Sequence, residues 1–97
     1  MNHLQLLVTF KLKPDMRSAF LEDMYSSGIY DKINGEEGCV RYNYFLDALD
    51  KDTLLLVEEW TDEKYQIAHL SAPHMADYKV IKDKYVLETK LEKAIKQ

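Results

Sequence analysis

The chain has 97 residues, of which 46% are hydrophobic and 31% charged, the balance of an ordinary globular domain with no run long enough to cross a membrane. Thirteen lysines and arginines stand against seventeen aspartates and glutamates, and the resulting net charge of −4 leaves no electrostatic footprint for nucleic acid. A single domain over residues 1–97 is expected; at this size it buries only about 60–65% of its unfolded surface, so a second copy would add to its stability. A lone cysteine, Cys39, cannot close an internal disulfide, and the start Met-Asn-His-Leu-Gln lacks the basic head, apolar run and cleavage site of a secretory signal. Both fit a reducing cytoplasm. The expected partner is a small molecule, another copy of the chain, or both.

Residues 4–12 alternate in polarity. Leu4, Leu6, Val8, Phe10 and Leu12 point one way and Gln5, Leu7, Thr9 and Lys11 the other, the period of a strand with one strongly buried face. Lys13-Pro14-Asp15 stops it, and Pro14 suits the first turn of a helix, with Asp15 near the positive end of its dipole. Met16, Ala19, Phe20 and Met24 then follow helical spacing up to Ser27. Gly28 interrupts this helix, Ile29, Tyr30 and Ile33 continue it on a shifted face, and Asn34-Gly35 and Gly38 end the segment. Cys39 to Leu46 reads as a second strand, with Val40, Tyr42, Tyr44 and Leu46 on one face and Cys39, Arg41, Asn43 and Phe45 on the other. Asp47 to Asp52 is a polar hairpin connection. The third strand, Thr53 to Trp60, opens on Leu54-Leu55-Leu56-Val57, apolar on both faces as in a central strand covered on both sides.

Thr61 or Asp62 caps the next helix, which runs to Leu70. Ser71-Ala72-Pro73 breaks it, and Ser71 is placed to cap a further helix from Pro73 to Lys84. The tail fits a helix by the spacing of Leu87, Leu91, Ala94 and Ile95, and a strand by the alternation of Thr89, Leu91, Lys93 and Ile95. Topology selects the strand, because the preceding order of elements wants a closing strand to complete a split βαβ sheet. The expected fold class is therefore α+β, a ferredoxin-like βαββαβ sandwich with strands one and three central and the helices on one face. Strand three would be apolar on the uncovered face as well, and a second sheet of the same kind is the expected cover, giving a symmetric dimer.

Glu36-Glu37-Gly38-Cys39, Tyr42, Glu58-x-Trp60, His69 and the run Ser71-Ala72-Pro73-His74-Met75 leading to Tyr78 resemble the antibiotic biosynthesis monooxygenase (ABM) domain family, and within it the small bacterial quinol monooxygenases. The resemblance spans nearly the whole chain and is most specific from Glu58 to Tyr78. It implies a dimeric ferredoxin-like α/β barrel and a pocket between sheet and helices with the glutamate, tryptophan and histidines near it. It also implies oxygenation of quinols or polyketide phenols by dioxygen without metal, flavin or haem. The same domain serves elsewhere as an isomerase for a phosphorylated autoinducer, a branch that shares the His-x4-His arrangement with Pro before the second His. Fold alone does not choose between them. Haem-degrading members carry an asparagine on the first strand, where this sequence has Val8 and Thr9, and a Trp–His pair where it has His69 and Tyr78. In both places the sequence departs from them.

The catalytic candidates are His69, His74 and Glu58. The two histidines lie five apart across a break, so they do not share one helical face, and a metal site would need Glu58 or another ligand to join them. Each could cap a helix or pack with satisfied nitrogens; in a pocket, an imidazole of pKa about 6.5 is a proton acceptor. Glu58 shares a strand face with Leu56 and Trp60, where a carboxylate pairs with a cation such as Arg41 or a helix lysine, or stays partly protonated. Glu59 points to the other face. Trp60, Tyr65, Tyr78 and Tyr42 could wall a flat aromatic substrate as well as pack, and Tyr65 and His69 share a helical face at i, i+4. Asn43 and Arg41 could orient a substrate oxygen or sit in water at the edge. Cys39 reads as a small buried residue. The expected function is cofactor-independent monooxygenation of a quinol or related small phenol by dioxygen. The alternatives are isomerisation of a small phosphorylated ketone, for which Arg41 and the lysines are the only phosphate anchors, and a non-catalytic dimeric ligand-binding or stress-response module.

Overall fold

The computed structural model describes residues 3–96. In chain order it contains β1 (His3–Leu12), α1 (Arg17–Ser26), α2 (Ile29–Asn34), β2 (Cys39–Leu46), β3 (Thr53–Trp60), α3 (Glu63–Leu70), α4 (His74–Tyr85) and β4 (Val86–Lys96). The strands form one antiparallel sheet in the order β2-β3-β1-β4. This is the ferredoxin-like α+β sandwich, with β1 and β3 central and each helical crossover split in two. The tail is a strand, paired with β1 from His3↔Lys96 to Leu12↔Val86. No helix among the described residues is long and apolar enough to cross a membrane.

The core lies between the sheet and the helices. Leu4, Leu6, Val8, Phe10 and Leu12 are all buried, as their alternation requires. Leu54, Leu56 and Trp60 join them from β3, and Phe20, Met24, Ile29, Ile33, Tyr78 and Tyr85 descend from the helices. Each such side chain contributes on the order of 1.5–3 kcal/mol through burial. On the other face, Leu7, Leu55, Val57 and Phe45 lie outside that core, brought side by side by the register. Glu59 shares this outer face, with its Oε2 2.6 Å from His3 Nδ1.

The helix break falls at Gly28, whose φ of 80° is left-handed, and Asp62 caps α3 by accepting from the Lys64 N–H at 2.9 Å. Three local expectations change. Pro14 does not open α1: Asp15 has φ 64° and donates its N–H to Asp52 Oδ1 at 2.9 Å, so the pair forms a turn tied to the β2–β3 connection. Ser71 does not cap α4; it closes α3 with its own N–H on the Ala68 carbonyl, and Pro73 occupies the position before His74 without a side-chain cap. The alternation in β2 is broken by a bulge. Cys39 pairs with Trp60 and Arg41 with Glu59, so Val40 has no position of its own, stands out of the sheet and is exposed, while Cys39 turns toward the core.

Candidate active site

A cavity of about 160 Å³ lies between the sheet and the helices α3 and α4. Its floor is apolar, made by Leu6, Val8 and Phe10 of β1 and Leu56 of β3. Tyr42 and Glu58 complete the sheet side, and His69, Gln66 and Leu70 come from α3. Met75, Tyr78 and Lys82 descend from α4, and Thr89 and Leu91 stand at the β4 side. Leu70 and Leu91 are both largely exposed, so the space opens between the end of α3 and β4. An engineered cavity of comparable size holds a benzene ring, which sets the scale of a ligand at one aromatic ring.

Glu58 reaches this space from β3 by the period-two rule, between Leu56 and Trp60. Its partner is neither Arg41 nor a lysine: Trp60 donates its indole N–H to Glu58 Oε1 at 3.1 Å. Burial pushes the carboxyl up to about 7, against the opposing pull of the Trp60 hydrogen bond and of Lys82. The group is thus poised to hold or release a proton near neutrality.

His69 is held by a contact no local pattern announces. Glu36, in the loop before β2, places one carboxylate oxygen 2.8 Å from His69 Nδ1 and 2.7 Å from His74 Nε2. A carboxylate only accepts, so both facing nitrogens carry protons, and the neutral His69 keeps its lone pair on Nε2. Among the described residues no buried side-chain nitrogen or oxygen lacks a partner. Nε2, which makes no hydrogen bond, therefore opens onto accessible space, and the cavity that His69 lines is that space. Burial lowers the imidazole pKa, while the Glu36 contact raises it. The ring is packed between Trp60, 5.0 Å away, and Tyr42, 5.8 Å away.

Gly38 explains how Glu36 comes to be there. It has φ 81°, and a Cβ on it would come within 2.2 Å of the Tyr65 ring, so the 36–39 loop lies flat against α3 only because residue 38 has no side chain. Tyr65 thus clamps this loop and does not line the cavity. His74 likewise sits behind Glu36, outside the lining. Tyr42 and Tyr78 do line it; the Tyr42 hydroxyl donates to Tyr78 at 3.0 Å, and the Tyr44 hydroxyl lies 2.9 Å from the same oxygen. Burial raises all three phenols, Tyr78 to about 12, so they stay protonated at neutral pH.

Arg41 and Asn43 are not brought to this site. Register sets them opposite Glu59 and Val57 on the outer face, where Arg41 Nε donates to Asn43 Oδ1 and Asn43 donates to the Tyr30 hydroxyl. Sequence reasoning missed Lys82, which lines the cavity, and the role of Glu36, which holds His69 from behind. Lys82 follows Tyr78 at i+4, a helical stripe that could have revealed it, whereas nothing local ties Glu36 to histidines more than thirty positions away. Glu36, His69 and His74 also form the set, among the described residues, whose ligand atoms all lie within 4.8 Å of one another. Two imidazoles and a carboxylate could hold a divalent transition metal, with Glu36 as the third ligand in place of Glu58.

The antibiotic biosynthesis monooxygenase family model matches residues 4–80. A Bacillus subtilis (strain 168) protein named "Putative monooxygenase YcnE" is 29% identical over 82 residues, covering 84% of this chain and 83% of that protein. The crystal structure of PA3566 from Pseudomonas aeruginosa has a TM-score of 0.86 at 18% identity, over 100% of this chain and 96% of that one, a likeness of fold alone. A Bacteroides thetaiotaomicron VPI-5482 protein of unknown function, described as "Possible Oxidoreductase", has a TM-score of 0.83 at 26% identity over 97% of both chains.

Proposed function

The chain belongs to the antibiotic biosynthesis monooxygenase family, and from that premise we propose that it is a monooxygenase acting on a quinol or related single-ring phenol without a cofactor. The observation that supports this reading is the bare Nε2 of His69 opening into an apolar, ring-sized space beside a carboxyl whose pKa is about 7. His69 Nε2 takes a phenolic proton, and the ring anion then passes one electron to dioxygen. The two radicals join through a new carbon–oxygen bond, and the Glu58 carboxyl supplies a proton to the outer oxygen. Loss of the ring hydrogen as the O–O bond breaks releases water, so quinol and dioxygen become hydroxyquinone and water. Glu36 fixes the His69 tautomer, and the Tyr78 hydroxyl, whose oxygen accepts from Tyr42, can donate to a substrate oxygen. The apolar floor keeps bulk water from the reactive anion.

The test is oxygen uptake with benzene-1,4-diol and ring-substituted relatives, using labelled dioxygen to follow one atom into the product. His69→Ala should lower kcat by about 10²–10⁴-fold. Undiminished uptake in that variant removes His69 as the base, and an inert protein across the phenol panel removes the reaction.

We also read the outer sheet face, with Leu7, Leu55, Val57 and Phe45 outside the core, as the interface of a homodimer. Sedimentation should give twice the chain mass, and Leu7→Glu should give monomers; a wild-type monomer at micromolar concentration contradicts the interface. A cytoplasmic setting fits the lone Cys39, whose thiol burial pushes up to about 11 and so keeps unreactive.

A further inference from the structure

Lys82 is the one charged wall of the cavity to which the chemistry above gives no task. It stands one turn beyond Tyr78 on α4, half-buried, with its ammonium 4.5 Å from the centre of the Tyr78 ring. Its neighbour Lys79 takes Asp83 at 2.7 Å. Lys82 itself makes no hydrogen bond or ion pair among the described residues. Glu58 lines the same cavity and still forms no ion pair with it, so a gap separates the two side chains. Burial pulls the lysine's pKa down, and the field of Glu58 and Asp83 pulls it up.

A half-buried ammonium in no ion pair bears a desolvation cost that the more distant carboxyls of Glu58 and Asp83 offset only in part. The stable occupant of the space beside it is therefore an anion. What kind of anion follows from the remaining walls. From β1, β2 and β4 the lining is uncharged, His69 is neutral, and Glu58 offers a carboxyl, so a single cation faces an otherwise apolar, ring-sized chamber. A phosphate calls for several converging donors. One oxyanion on a flat apolar body asks for what is here.

We propose that Lys82 is the seat of the substrate's oxyanion: the cavity takes a monocyclic phenol as its phenolate, with the ionised oxygen on Lys82 Nζ and the ring on Leu6, Val8 and Leu56. The proposal rests on the monooxygenase reading and narrows its substrates to phenols acidic enough to ionise in this field. When the phenol arrives neutral, its O–H bond breaks toward His69 Nε2 and the charge stays on the oxygen facing Lys82.

The test uses 4-nitrophenol, whose two ionisation states absorb differently, titrated against wild-type protein, Lys82→Met and Lys82→Arg, with folding checked by circular dichroism. Wild type should bind the phenolate with at least about tenfold preference, lowering the apparent pKa of the bound reporter by about one unit or more. Lys82→Met should lose that preference and hold the neutral phenol, and Lys82→Arg should restore it. Equal ionisation of the reporter in wild type and Lys82→Met, no binding at millimolar reporter, or equal displacement by inorganic phosphate would each overturn the proposal. Reporter binding needs no turnover. A protein that consumes oxygen with a quinol yet holds 4-nitrophenol neutral refutes the seat alone. One that selects the phenolate but oxidises no quinol supports the seat and refutes the reaction.

Discussion

Replacing Glu58 by glutamine gives the sharpest test of how the cavity is built. The carboxyl is 6% exposed and faces leucines, and its proton is held to about 7 against the ordinary 4.5. At about 1.4 kcal/mol per unit, the ionised form costs the fold about 3 kcal/mol. Between those two pH values the native state keeps a proton that the unfolded chain has released, so stability falls as pH rises. The contribution is full below 4.5 and lost above about 7. Glu58→Gln removes this titration and leaves an amide oxygen able to accept from Trp60 Nε1. Urea unfolding of both proteins, from about pH 4.5 to 8.5, should show the variant gaining on wild type by about 3 kcal/mol across that range, a difference of roughly 10–20 °C in Tm for a domain of this size. Other titrating groups are common to both proteins and cancel. If the two stability curves run parallel with pH, the carboxyl is solvated and the premise of a neutral-range proton carrier is wrong.

Gly38→Ala should cost about 2–4 kcal/mol, because it adds a collision with Tyr65 to a left-handed backbone, whereas Gly28→Ala, with φ 80° and open space around it, should cost about 1 kcal/mol; thermal unfolding of the pair isolates the collision. Trp60→Phe removes the hydrogen bond that opposes burial at Glu58, so the pH midpoint of the stability difference, and the alkaline limb of any oxygen uptake, should move above 7. Glu36→Gln should lower the His69 pKa further, since Glu36 is what raises it, and cost about 1–3 kcal/mol; proton NMR titration of the imidazoles reads the first, denaturant the second.

The amino-acid sequence by itself determined the elements. The alternation from Leu4 to Leu12, the doubly apolar start of β3 and the break at Gly28 each register how one residue after another meets water, and water acts on every element locally. It also determined that Glu58 and Trp60 share a face, since that needs only the pleat. The tail from Val86 to Lys96 was readable as a strand through topology alone, because its own spacing serves either structure until β1 offers an open edge. Only the tertiary structure decided which groups form the site. The bulge at Val40 turned Cys39 toward the core and left Val40 outside the sheet, and the flat Gly38 loop under Tyr65 carried Glu36 to two distant imidazoles. Those pairings depend on where chain ends up after each turn, and a displacement of one residue in a strand or one methyl in a loop sends a side chain to the other side of the sheet; periodicity, which repeats along an element, carries no record of that.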